Sequence, residues 1–401
     1  MPRANRFRHH VYRSERPTSP YHLLPAVSPT DPSSAEFGDQ LAEAGALFGQ
    51  AQVAAIYCVH GTFAGNDALG LLTELARFAP GLSKSLSQLG KRTVDCVAGE
   101  SGNYTPEFVV ALQSALSSGA KRTIPVRLFN WSSQNNHIGR ADGAVRLLAE
   151  LSRVANELVS AQTAGTEPPR MMLWGHSHGG NVLSLITNLL GADGEAREEF
   201  FHAARSFYRP WIRREIDMTV WQEVREILGN DDHALRHAAL DIVSFGTPVR
   251  YGWDAGGYSK LLHFVHHRPS EGDAEFLAPH PIEMRRLLNA EQGDYVQQLG
   301  IAGTNFAPNP LALRTLLADW RLDRFLEQDL ASERILTRLS HATRVPDEGT
   351  TLLVDYDAIE KGLHRHLAGH GVYTRQKWLP FHCREIARRF HGESEDVITP
   401  A

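Results

Sequence analysis

Arg170-Met-Met-Leu-Trp174 runs without a break into Gly175-His-Ser-His-Gly-Gly180 and then into Asn181-Val-Leu-Ser-Leu-Ile-Thr-Asn-Leu-Leu190. The first five residues fit a buried strand, and the ten after the glycines space their apolar side chains as a helix does. A strand, a Gly-rich turn and a helix in direct succession belong to a parallel sheet covered by helices. The rhythm extends both ways. Val53–Val59 reads as an earlier strand ending in His60-Gly-Thr-Phe-Ala-Gly65, with a helix expected over 67–78. Ile124–Trp131 reads as the next, opening through Ser132, Ser133, Gln134 and Asn135 into a long helix. Ala144, Leu148, Leu151, Ala155 and Leu158 share one face of that helix. Leu240–Phe245, Leu261–His266 and Thr350–Asp355 supply further strands, and Trp378–Phe390 a last helix. The expected class is α/β, a mostly parallel sheet with helices on both faces.

Two kinds of segment fall outside this rhythm. The first 40 or so residues are rich in Arg, Pro and Ser, so residues 1–45 are set apart as an N-terminal arm, extended on the surface or disordered. Within the remaining domain, 46–401, the stretches 192–238 and 281–345 interrupt the alternation and read as helical cap insertions near the active edge. The alternative is that they pad the outside of the fold. The first is rich in aromatics, among them Phe200, Phe201, Phe207, Tyr208, Trp211 and Trp221.

Composition narrows the class of function. Among 401 residues, 41 Lys and Arg stand against 46 Asp and Glu, a net charge of −5, which lacks the basic footprint of a nucleic-acid binder. No apolar run reaches the roughly 18 residues of a membrane span, and the basic start has no apolar stretch behind it. Cys58, Cys96 and Cys383 are odd in number and far apart, which suits free thiols in a reducing compartment. The expected location is cytoplasmic, with export lacking a cleavable leader left compatible. His263, His266 and His267 cluster without any metal-ligand spacing, and the Gly61/Gly65 turn lacks a phosphate-loop ending. Neither a metal nor a cofactor is expected.

The serine carries the chemistry. A hydroxyl is a poor nucleophile until a base touches it, and the tetrahedral oxyanion it creates needs fixed N–H donors. A sharp strand-to-helix turn meets both needs when glycines relieve its crowding. Gly175-His176-Ser177-His178-Gly179 has the G-x-S-x-G spacing. That pattern alone arises in roughly one chain in seven of this length, so the flanking strand, Gly180 and the immediate helix carry the weight. His176 and His178 are adjacent to the serine and point away from it on such a turn.

Gly175–Gly180 resembles the nucleophile elbow of bacterial lipases and esterases of the α/β-hydrolase superfamily. His60-Gly-Thr-Phe-Ala-Gly65 is similar to their His-Gly turn, and Phe129-Asn-Trp-Ser132 with Arg140 also looks like members of that superfamily. The resemblance implies oxyanion donors at Thr62 and His178, with His60 fixing the oxyanion loop. It also implies a chain order of serine, acid, histidine. In the loop after Leu261–His266 the acid is expected at Asp273, with Glu271 and, after the preceding strand, Asp254 as alternatives. The base is expected at His370, between Gly369 and Gly371 ahead of the last helix. Hydrolysis of carboxylic esters, small-molecule or lipid, through an acyl-enzyme is the implied activity. A phospholipase-type enzyme touching a lipid surface and a non-catalytic binding protein are the alternatives.

Overall fold

The computed structural model describes residues 7–8, 16–61, 103–161, 167–209, 218–278, 290–302, 305–326, 343–357 and 369–392. In chain order these form β1 (Tyr21–Val27), α1 (Ala35–Gln50), β2 (Val53–Val59), α2 (Pro106–Ala120), β3 (Val126–Phe129), α3 (His137–Ala161), β4 (Arg170–His176) and α4 (His178–Gly191). There follow α5 (Gly194–Tyr208), α6 (Thr219–Gly229), β5 (Ala239–Phe245), β6 (Lys260–His266), α7 (Tyr295–Ala302), α8 (Leu313–Leu326), β7 (Thr350–Tyr356) and α9 (Leu379–His391). The helix expected over 67–78 lies outside the described residues.

The seven strands form one sheet in the order β1-β7-β6-β5-β4-β2-β3, and every neighbouring pair is parallel. Strands buried on both faces need apolar side chains on both, and β2, β4, β5 and β6 are buried almost throughout. One face packs against α1, α2 and α9 through Phe48, Leu112 and Ile386, and the other against α3 and α4 through Leu148 and Ile186. This is the α/β class expected, arranged as in an α/β-hydrolase-like fold. β3 lies to one side of β2 and β4 to the other, so the chain reverses its winding there, and the carboxyl ends beside such a reversal form a crevice. Register aligns those ends: Val59 pairs with both Phe129 and Gly175, and His176 pairs with Phe245.

The arm expectation is corrected. Tyr21–Val27 is an edge strand paired with β7, from Tyr21 opposite Thr351 to Val27 opposite Tyr356, and Ala35–Gln50 is a helix capped by Ser34. Pro25 hides the strand in the sequence, because proline gives no N–H to a ladder and survives only at an edge or irregularity. The register does shift between Leu24 and Val27, where Ala26 has a φ of 46°. Even Phe7 is buried, its ring 5.0 Å from that of Phe325.

The aromatics of 192–238 that are described do not furnish an open cap pocket. Phe200, Phe201, Phe207, Tyr208 and Trp221 are buried on one another, with the Tyr208 and Trp221 rings 5.1 Å apart. The Trp221 Nε1–H donates to Asp142 on α3 at 2.8 Å. These helices extend the core outward from α3. Trp221→Ala should therefore lower the unfolding free energy by about 3–5 kcal/mol in chemical denaturation, whereas a change below about 1 kcal/mol would place this cluster outside the cooperative core.

Candidate active site

β4 ends directly in the turn that bears Ser177, whose φ of 53° and ψ of −130° lie where residues with a Cβ are strained. The turn is held from both sides: the Ser177 N–H donates to Phe245 O at 2.9 Å, and the Gly180 N–H donates to Ser177 O at 3.0 Å. α4 starts at His178, so the His178 N–H is among the four that find no carbonyl within the helix, at its positive end. Such an N–H suits an oxyanion. The His178 ring is driven well below its ordinary pKa by burial first, then by the charges of Arg140 and Arg250. It stays neutral and bonds Asn181 Nδ2 through Nδ1 at 3.1 Å.

The end of β2 closes on the same turn. A Cβ placed on Gly61 would stand 2.7 Å from Ser177 Cβ, so only glycine admits this approach. Gly61 O accepts from Ser133 Oγ at 2.8 Å, and Trp131 Nε1–H donates to His60 O at 2.8 Å. His60, with Ser133 and Trp131, thus fixes the turn that leads into residue 62. Thr62 itself, the expected first oxyanion donor, lies outside the described residues.

His370 stands on the far side of the elbow. Its ring centroid is 4.8 Å from that of His176, the residue before the serine. Two other histidines hold its backbone: His176 Nε2–H donates to His370 O at 3.0 Å, and His266 Nδ1–H to Gly369 O at 3.2 Å. Sequence reasoning passed over both tethers. His176 and His266 carried no signal beyond their type, and only the register of β4 and β6 reveals their use. On the His370 ring, Nδ1 donates to Asp294 Oδ2 at 2.7 Å, while Nε2 is buried and has no hydrogen-bond partner among the described residues.

The carboxylate that meets His370 is Asp294, not the expected Asp273. Asp273 and Glu271 lie exposed in the loop after β6, and Asp254 sits against Gly191 at the far end of α4, about 20 Å along that helix from Ser177. The end of β6 is instead met by Gly293 and Asp294. There Gly293 bridges His267 in antiparallel fashion and the Asp294 N–H donates to His266 O at 3.0 Å. Gly293 has a φ of 100°, and a Cβ on it would meet His266 O at 2.3 Å. Asp294 fell inside the stretch expected to be cap. Its only sequence signal was a glycine immediately before an acid.

The carboxylate is buried and fully engaged. Oδ2 also accepts from Tyr373 OH at 3.0 Å, and Oδ1 accepts from the Gln297 N–H at 2.9 Å, making Asp294 the cap of α7. Arg344, itself buried, bonds the Asp294 carbonyl and Gln297 Oε1. Burial pushes the Asp294 pKa up, but the charge and hydrogen bond of His370, the Gln297 N–H and the Arg344 guanidinium outweigh it, so the group is held below its ordinary value. An ionised carboxylate against Nδ1 leaves Nε2 as the nitrogen able to accept a proton.

The remaining histidine cluster has structural partners. His263 bonds Ser244 Oγ at 2.6 Å and His267 Nε2–H donates to Glu275 O at 2.6 Å. Among the described residues no three His, Cys, Asp or Glu side chains are gathered as metal ligands, and no helix is long and apolar enough to cross a membrane. Comparison of the chain with protein-family models, curated proteins and solved structures returned no match.

Burial holds His266 at a pKa of about 4, and His267 and His382 at about 3, against 6.5 for an ordinary ring. The unfolded chain therefore binds these protons more tightly, so the stability they contribute is complete above pH 6.5 and is lost as the pH falls towards 4 and 3. Calorimetric melts should show Tm dropping steadily below pH 6.5, His266 alone accounting for about 3 kcal/mol when fully titrated. A Tm that is flat from pH 7 to about 4.5 would mean that the folded chain takes up these protons freely.

Proposed function

We propose that the chain is a serine hydrolase that cleaves carboxylic esters, an esterase or lipase, through Ser177, His370 and Asp294. The observation that carries this reading is the conjunction at one sheet edge of a strained serine elbow with a buried His–Asp pair whose outer nitrogen is unoccupied. A structural serine needs no left-handed φ, and a ring held through Nδ1 by a buried carboxylate, with Nε2 left to take a proton, is what a general base beside that serine requires. The choice of esters over peptides rests on the resemblance of Gly175–Gly180 and His60–Gly65 to lipase and esterase turns.

In this mechanism His370 Nε2 takes the proton of Ser177 Oγ as the oxygen attacks the ester carbonyl carbon. The carbonyl π pair moves onto oxygen, and the oxyanion accepts the His178 N–H, with a second donor assigned to Thr62 by the resemblance alone. Collapse expels the alcohol, which leaves with the proton from His370, and the acyl group remains on Oγ. Water, deprotonated by the same nitrogen, then releases the acid. Asp294 stays ionised throughout, holds the ring with Nε2 facing the serine and stabilises the imidazolium. Arg344 and Tyr373 act through Asp294 as positioning residues.

A chromogenic short-chain ester and a phosphonate ester analogue test this together. Hydrolysis is expected, with the phosphonate on the peptide containing Ser177, and no labelling of Ser177→Ala. Asp294→Asn should lower kcat on the order of 10³–10⁴-fold while Asp273→Asn leaves it near the parent value. Equal rates for Ser177→Ala and the parent would overturn the reading.

A further inference from the structure

Among the described residues five large hydrophobic side chains stand exposed, and four of them fall within residues 306–320: Phe306 at 58%, Leu311 at 90%, Leu313 at 64% and Trp320 at 55%. Single exposed apolar residues are ordinary on a protein surface, but a contiguous set marks a surface meant to be covered. On α8 the set is periodic. Leu313, Leu316, Leu317 and Trp320 recur at helical spacing along the outward side and are exposed or half-buried, while Thr315, Ala318, Leu322 and Phe325 face the core. The helix is thus apolar on two sides, and packing against the body uses one.

The same segment stands at the active edge of the sheet. Asn305, just before Phe306, bonds Arg140 Nη2 at 2.7 Å and His137 Nε2 at 2.7 Å, and the Phe306 N–H donates to Asn135 O at 2.8 Å. From α8, Asp319 accepts from the Ile138 N–H at 2.9 Å. Residues 135–138 open α3 directly after the carboxyl end of β3, the rim that also carries Gly61 and Ser177.

The charges around the stripe fit an anionic partner. The acids of α8 lie towards α3, Asp319 bonded as above and the half-exposed Asp323 3.2 Å from His137 Nε2. Arg321 and Arg324 remain towards the outer side, and the Arg324 guanidinium lies 5.0 Å above the Trp320 ring. The Ser206 hydroxyl donates to Arg314 O at 3.0 Å, which brings the exposed Arg205 and Arg209 of the neighbouring helix end alongside. Tryptophan and arginine are the side chains that settle at the headgroup level of a bilayer, with aliphatic residues below them.

We infer that the outer face of α8, with the preceding segment from Phe306, is a docking surface for anionic lipid. Docking is independent of the hydrolase reading; its consequence, presentation of membrane esters to Ser177, rests on that reading. Co-sedimentation of the 401-residue Ser177→Ala chain with vesicles tests it without turnover. Binding is expected to phosphatidylcholine vesicles carrying about 30% phosphatidylserine and to fall about tenfold or more in Leu313→Asp/Trp320→Asp. Arg321→Glu/Arg324→Glu should reduce binding to the anionic vesicles and leave the residual binding to pure phosphatidylcholine unchanged. Thermal melts equal to the parent show that these surface variants fold. Absence of vesicle binding overturns the inference, as does binding unaltered by the stripe variants. A concentration-dependent dimer abolished by Trp320→Asp, without vesicle binding, would assign the face to a second copy of the chain. Loss of vesicle binding beside normal short-chain ester hydrolysis separates this proposal from the catalytic one.

Discussion

The seven strands among the described residues run parallel and bring their carboxyl ends to a single rim, and each piece of the site hangs from that alignment. Val59 beside Gly175 brings the His60–Gly61 turn against Ser177, and His176 beside Phe245 lets the Phe245 carbonyl hold the serine's own N–H. The end of β6 catches the returning chain at Asp294. A slip of one residue along any of these pairs would turn every side chain of the strand to the opposite face. The site is therefore built mainly from backbone pairing, and its side chains occupy positions that the ladder has already fixed.

Electrostatics at this rim follow from burial. Arg140 is enclosed, its Nε bonded to Tyr251 OH at 2.8 Å and its Nη1 to Asn135 Oδ1 at 3.0 Å, both uncharged acceptors. Burial first, then its field and that of Arg250, keeps the His178 ring neutral. Asp294 sits where the opposite sign is favoured, against His370 and near Arg344. Positive character towards the helix that follows Ser177 and a negative group behind the imidazole form the polarity that the proposed oxyanion and imidazolium require.

The elbow was legible in the sequence because local rules decide it. An apolar run, glycines and a helical period need no distant partner to be read. His370 was legible for a similar reason, as a histidine between glycines ahead of an amphipathic helix. Asp294 was not, since it bonds the end of β6 from far along the chain, and no local pattern announces that pairing. β1 was concealed by Pro25, which its edge position tolerates. The aromatics of α5 and α6 left cap and outer layer both open, because a ring-rich amphipathic helix has one sequence whether its rings meet a ligand or the outside of α3. The surface that does expose aromatic and aliphatic groups, on α8, carries the same spacing.

The pairing of β1 with β7 joins residues 21–27 to residues 350–356, near opposite ends of the described chain. During synthesis the earliest strand emerges long before its neighbour exists. Until that neighbour arrives, Leu23 and Leu24 can be shielded only by transient or borrowed contacts, such as those a chaperone supplies. Completion of the sheet thus waits on late translation. Cleavage between β1 and α1 would strip β7 of its outer companion and leave a raw edge open to self-association.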